Sequence, residues 1–240
     1  MEHFTHENLW ESITKEPNTG VSIVDVEGKL LYVNEQAVRI YVGDDTRPAD
    51  LLNRSLDEFL PRDFVEERMG VFRQVAADRN PRLVRSIWRG YQHLAWVYPL
   101  EADDESEGEG EGDGEGGPSD DNTDPVASLL ILTRRSAERE ENIELLRDDS
   151  YEFVHAEVSD LGPLKVLSRR ELVVLALLGQ GLTLKEVAER VHRSLKTVQT
   201  QRDAIGRKLN VRNRSELQEI IIRAGLTLRD VEDQPRRGKA

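Results

Sequence analysis

Lys196-Thr197-Val198-Gln199-Thr200-Gln201-Arg202 opens a stretch able both to hold a polyanion and to read it. Lys196, Arg202, Arg207 and Lys208 offer charge to phosphate oxygens. Thr197, Gln199, Thr200 and Gln201 offer neutral hydrogen-bonding tips near the start of the same stretch. Glutamine can pair bidentately with adenine, whereas lysine and arginine away from base edges position a protein without specifying sequence. Val198, Ile205 and Leu209 recur at helical spacing and would face inward, leaving the polar residues outward. The candidate contact set is therefore Lys196, Thr197, Gln199, Thr200, Arg202, Asp203, Arg207 and Lys208. A solvated helix of a small bundle has the same pattern, and the charge distribution favours nucleic acid over it.

That distribution is uneven. The net charge of −13 hides a tract, Glu101–Pro125, with twelve acidic residues and no basic one. From Pro163 onward seventeen basic residues face nine acidic ones. A basic segment in an acidic chain is a reason to look there for nucleic-acid binding.

Other chemistries find little support. Without cysteine there is no disulfide, thiolate ligand or cysteine nucleophile. No His-Glu-x-x-His spacing occurs, and no metal site is expected. The only glycine-rich stretch is saturated with acid and would repel phosphate, so it is no nucleotide-binding loop. His155 stands without the ATP-binding domain that a histidine kinase needs. No catalytic set emerges, and the chain is expected not to be an enzyme. Met1–Trp10 is acidic, and no run of about 18 apolar residues occurs, which leads to an expectation of a soluble cytoplasmic protein without a membrane partner.

The elements that position the polar stretch are legible on either side of it. Ser168 with Glu171, and Thr183 with Glu186, have the spacing of capping boxes. Leu172, Leu175, Ala176 and Leu178 form an apolar stripe ending at Gly179-Gln180-Gly181; Val187, Ala188 and Val191 form the next. After His192-Arg193-Ser194 a third helix begins near Leu195. A short helix, a tight turn and a second helix is the helix-turn-helix arrangement, in which the second helix enters the major groove.

Upstream, Val21–Asp25 and Lys29–Val33 read as a hairpin, Asn34–Val42 and Pro61–Ala77 as helices. Leu83–Trp88 and Tyr91–Leu100 read as strands meeting at Arg89-Gly90, and Val126–Thr133 as a further strand. Expected units are an N-terminal helix over 1–18, a mixed α/β domain over 19–135 with a disordered acidic loop at 101–125, a connecting helix over 136–162, the helical domain over 163–228 and a flexible tail over 229–240. The acidic loop lies between two strands as an insertion, which costs little in closure entropy.

Leu167–Glu171, Val174-Leu175, Gly181–Ala188, Ser194–Val198, Lys208-Leu209, Val211 and Arg214 stand in the order and spacing of the LuxR/GerE-type helix-turn-helix family, which this segment resembles. The related sigma-factor motif lacks the downstream Lys-Leu-x-Val-x-x-Arg pattern. The resemblance implies four helices, the last at about Arg214–Ala224 and usually dimerising, with Leu217, Ile220, Ile221 and Ala224 as an apolar face partly packed inward and partly available to a partner. It also implies a transcription regulator that binds double-stranded DNA as a homodimer, with RNA polymerase a candidate partner. The family commonly has Glu at Val173, Lys at Gln199, His at Gln201 and Asn at Ala204, and some members have a basic residue at Asp203. The operator therefore does not carry over, and a protein-interaction module with weakened DNA binding is the alternative.

Gly20–Asp25, Gly28–Asn34 and Trp96–Leu100 resemble a PAS sensor domain over about Thr19–Arg135, implying a five-stranded antiparallel sheet with helices on one face. The implied fold class is α+β. Such domains bind haem, flavin or metabolites, or only dimerise. A flavin–cysteinyl adduct is impossible here, and haem ligation finds no histidine on the Pro61–Ala77 helix. No cofactor is expected. His93 reads as structural or surface, and Trp88, Tyr91, Trp96 and Tyr98 as core or sheet surface before pocket lining.

Overall fold

The computed structural model describes residues 10, 12, 14–101, 126–138, 143 and 150–233. Residues 102–125, the bulk of the acidic loop, lie outside them, as does most of the expected N-terminal helix.

Strands β1 (Thr19–Asp25) and β2 (Leu30–Val33) form the first hairpin. Its turn is closed by Asp25, whose Oδ1 accepts from the amides of Glu27 and Lys29, and by Gly28 at φ 91°. Asn34 caps helix α1 (Glu35–Tyr41) by accepting from the Ala37 amide, and α2 (Arg62–Asp78) follows. Strands β3 (Arg82–Trp88) and β4 (Tyr91–Glu101) meet as expected at Arg89-Gly90. Both turn residues have positive φ, 52° and 79°, as a two-residue turn matched to strand twist requires. Strand β5 (Val126–Arg135) pairs between β1 and β4.

These five antiparallel strands are the sheet that the PAS resemblance implies. A sixth, β6 (Glu152–His155), pairs parallel with the outer edge of β3 and completes the order β2-β1-β5-β4-β3-β6. This corrects part of the connecting helix expected over 136–162. An unpaired β3 edge would expose a row of amides and carbonyls, and Phe153-Val154 supplies a strand to cover it. Ile143, the one described residue of 139–149, is helical and buried.

Side chains alternate across β3. Val84 and Trp88 join Val97, Ile131, Phe64 and Phe72 in a core beneath α1 and α2. On the other face Leu83 packs with Leu94 and Ile143, while Ile87 enters the core of the C-terminal helices. All seven residues of β3 are consequently buried.

The C-terminal helices are α3 (Arg169–Gly179), α4 (Leu184–Arg190), α5 (Leu195–Lys208), α6 (Arg214–Ala224) and α7 (Leu228–Glu232). Both anticipated capping boxes form. Part of the tail expected from 229 is instead helical, with Asp230 and Val231 buried. The architecture is α+β.

One buried cluster joins the sheet to this helical unit. Arg85 of β3 is fully buried and meets Asp230 of α7 through two hydrogen bonds of 3.0 Å. Its Nε donates to Gln92 Oε1, its Nη2 to the Gly225 carbonyl at 2.5 Å, and its Nη1 lies 2.8 Å from His155 Nε2. Asp230 also accepts from the Thr227 amide and hydroxyl, closing the cap of α7. Burial alone would raise the Asp230 pKa, but hydrogen bonds from His155 and Arg85 and the arginine charge hold it well below the usual carboxylate range. Gly225, at φ 52°, ends α6 so close to Gln92 that a β-carbon there would collide with the amide.

Candidate nucleic-acid interface

Helices α4 and α5 set the interface. Val191 is followed by His192 at φ 52°, and the Arg193 amide donates back to the Ala188 carbonyl at 2.9 Å. That is a Schellman-type stop, with histidine where glycine is usual. Ser194 then caps α5 by accepting from the Thr197 amide. Val198 and Ile205 are fully buried against α3 and α4, among them Leu172, Leu175 and Val187, and this fixes the rotation of α5 about its axis.

Opposite those two residues, Lys196, Gln199, Thr200, Asp203 and Arg207 recur at three- and four-residue spacing and are all exposed. The outward stripe thus carries two cations, an amide, a hydroxyl and one carboxylate. Thr200 Oγ1 donates to the Lys196 carbonyl at 2.9 Å and retains its lone pairs as acceptors. Thr197 lies on one flank, exposed, with its hydroxyl 2.8 Å from that of Ser194.

The remaining candidates are tied within the domain. Arg202 is half-buried on the other flank, and its Nη2 pairs with Asp203 Oδ1 at 2.9 Å. Lys208 donates to Glu171 Oε2 at 2.6 Å, joining the end of α5 to the capping box of α3. Burial would raise the Glu171 pKa; the bonds from Lys208 and Ser168 pull it below its ordinary value instead. Spacing did not reveal this link, because its partners stand 37 residues apart.

The proposed dimerisation face of α6 is largely turned inward. Leu217, Ile221 and Ala224 are buried in this chain's own core, and Ile220 packs against it. Helix α6 lies between α3 and β4 of the sheet, and its inward stripe packs on both. Ile222, 45% exposed, is the apolar residue that α6 presents outward. His93, read as structural or surface, is buried on β4, and Trp88 is in the core beneath α1 and α2.

Sequence comparison finds the family described as bacterial regulatory proteins, luxR family, over residues 165–221. The oxygen regulatory protein NreC of Staphylococcus carnosus is 39% identical over 64 residues, 27% of this chain and 30% of that protein. NreC of Staphylococcus epidermidis is 38% identical over 68 residues, 28% of this chain and 31% of that protein. The chain therefore spans about three tenths of the length of these curated relatives. Among solved structures, a VqmA–ligand–DNA complex of Vibrio cholerae aligns with 98% of this chain and 96% of its own at 15% identity and a TM-score of 0.46. The PAS domain of BvgS from Bordetella pertussis aligns with 58% of this chain and 92% of its own at 18% identity and a TM-score of 0.37. With its capped helices, its Schellman turn and its buried Val198–Ile205 seam, the segment 165–221 is a LuxR-type helix-turn-helix domain of the bacterial regulatory proteins.

Proposed function

We propose that the chain is a transcription regulator that inserts α5 into the major groove of duplex DNA, under the control of the PAS-like unit over 19–135 or dimerised through it. The observation that carries this reading is the exposed stripe Lys196, Gln199, Thr200, Asp203 and Arg207, held opposite a buried seam within a LuxR-type domain. Gln199 and Thr200 read base edges; Lys196 and Arg207 hold phosphates. Thr197, Arg202 and Lys208 contribute from the flanks, the last two while tied to Asp203 and Glu171. Asp203 disfavours phosphate close to the middle of the stripe and narrows the approach. A cytoplasmic homodimer acting with RNA polymerase completes the proposal. Leu217, Ile221 and Ala224 are spent on the chain's own core, so half-buried Ile220 and exposed Ile222 are what α6 offers to a second copy.

The test is a salt titration of the full chain against random duplex. Neutralised phosphates release counterions, so log affinity falls linearly with log salt, by about 0.9 per phosphate contact. Absent binding at low salt, or binding indifferent to salt, removes the DNA-binding reading and leaves the interaction module.

A further inference from the structure

A carboxylate stands midway along the exposed stripe of α5. The Asp203 side chain is 53% exposed and lies between the cations Lys196 and Arg207. Phosphates repel it, so it weakens contact with any duplex backbone, and whatever it gains lies at a base edge.

Its surroundings are not those of an ordinary solvated helix acid. Arg207 stands four residues on, the spacing at which acid and base commonly pair along a helix. Among the described residues Arg207 makes no ion pair, and Asp203 bonds instead to its neighbour Arg202, Oδ1 accepting from Nη2 at 2.9 Å. Arg202 is half-buried and lines a cleft with Leu182, Leu195 and Leu217, so its guanidinium is a fixed point and not a mobile surface charge. The pair holds the carboxylate in one orientation and offsets part of its charge. Oδ2 makes no hydrogen bond among the described residues and remains open to solvent.

The rotation of α5 is set by buried Val198 and Ile205, which puts Gln199 and Asp203 on the same outward face. Four residues of helix rise about 6 Å, just under two base-pair steps of about 3.4 Å. Among major-groove edges, cytosine N4 and adenine N6 donate; guanine offers N7 and O6, and thymine O4, all acceptors. A carboxylate only accepts, so guanine and thymine repel it. Adenine sets its N7 acceptor beside its donor, whereas cytosine presents an amino group with no acceptor on the same edge. Cytosine is the base that a carboxylate fits.

We propose, resting on the DNA-binding reading above, that Asp203 is a specificity-determining residue. Its open oxygen accepts from the N4 amino group of a cytosine, about two base pairs from the adenine that Gln199 pairs with. Arg202 is the positioning residue that aims it.

The full chain is taken through binding-site selection from a randomised duplex library at fixed salt, beside Asp203→Ala and Asp203→Asn. Selected duplexes are then titrated with single base-pair changes. In the native chain one position prefers cytosine by about five- to a hundredfold, the range of a good base contact. Asp203→Ala loses that preference and keeps the others. Asp203→Asn moves it toward adenine, which asparagine pairs bidentately. Both substitutions fall on the surface, where effects on stability are small. Unchanged preferences in both variants overturn the proposal. So does tighter binding of every duplex by one common factor, the mark of simple repulsion. The native salt titration against random duplex separates the two claims. Its failure removes DNA binding and this assignment together, whereas salt-dependent binding with unaltered base preferences removes this assignment alone.

Discussion

Replacing Arg85 with methionine is expected to uncouple the two halves of the chain. Arg85 and Asp230 are 0% and 1% exposed, and two 3.0 Å bonds join them. Removing one partner of a buried pair leaves the other charge uncompensated, typically at about 3–5 kcal/mol. In Arg85→Met the Asp230 carboxylate keeps the Thr227 amide and hydroxyl and His155, so the lower end, about 3 kcal/mol, applies. Asp230→Asn removes the charge that Arg85 faces, and the double variant loses less than the sum of the two, because the shared interaction is counted once. The three tryptophans, Trp10, Trp88 and Trp96, all belong to the N-terminal half, whereas far-ultraviolet circular dichroism is dominated by helices, including all of α3–α7. In urea the native chain should give coincident curves by both probes. Arg85→Met should separate them. Coincident curves within about 1 kcal/mol of the native chain would refute the assignment, since surface substitutions cost about that little.

His93 supplies a pH signature: burial, reinforced by the Arg135 charge, holds its pKa down at about 4 against an ordinary 6.5. As pH falls through that window the unfolded chain takes up a proton that the folded chain refuses, so up to about 3 kcal/mol of stability is lost. His93→Gln should reduce this loss, and a native-minus-variant difference that stays flat between pH 7 and pH 4, values spanning the window just cited, would contradict it. Gln199→Ala and Thr200→Ala should each lower discrimination between sites by about 1–3 kcal/mol in a binding-site selection, while Arg207→Ala weakens every duplex alike and shallows the salt slope by about 1. Lys208→Ala should likewise weaken all duplexes, and loss of its bond to Glu171, with the lysine 42% exposed, should lower stability by less than about 1 kcal/mol in thermal unfolding.

What the sequence discloses depends on the distance between cause and effect along the chain. Ser168 with Glu171, and Thr183 with Glu186, act across three residues, and their caps form as read. Arg89-Gly90 joins neighbours, and its hairpin is in register from Trp88 opposite Tyr91. Strand β6 was illegible because Glu152–His155 sits in a charged run, and only the distant β3 edge makes it a strand. The α6 stripe showed which residues are apolar and that some pack inward, but not which: Leu217, Ile221 and Ala224 are the buried ones. Asp230 gave no local signal of its partner, 145 residues away.

Asp230 lies nine residues beyond the segment that matches the LuxR-type family, yet it anchors that segment to the sheet. The DNA-reading module is therefore not a freely portable cassette. A chimera built by exchanging residues 165–221 alone would keep the anchor but change the α6 surface seated on it. One that exchanged the whole C-terminal end would strand a buried guanidinium wherever the donor lacked an acid there. Over evolutionary time, Arg85, Gln92, Gly225 and Asp230 should be inherited as a set, and a lineage that lost one should have lost the others with it.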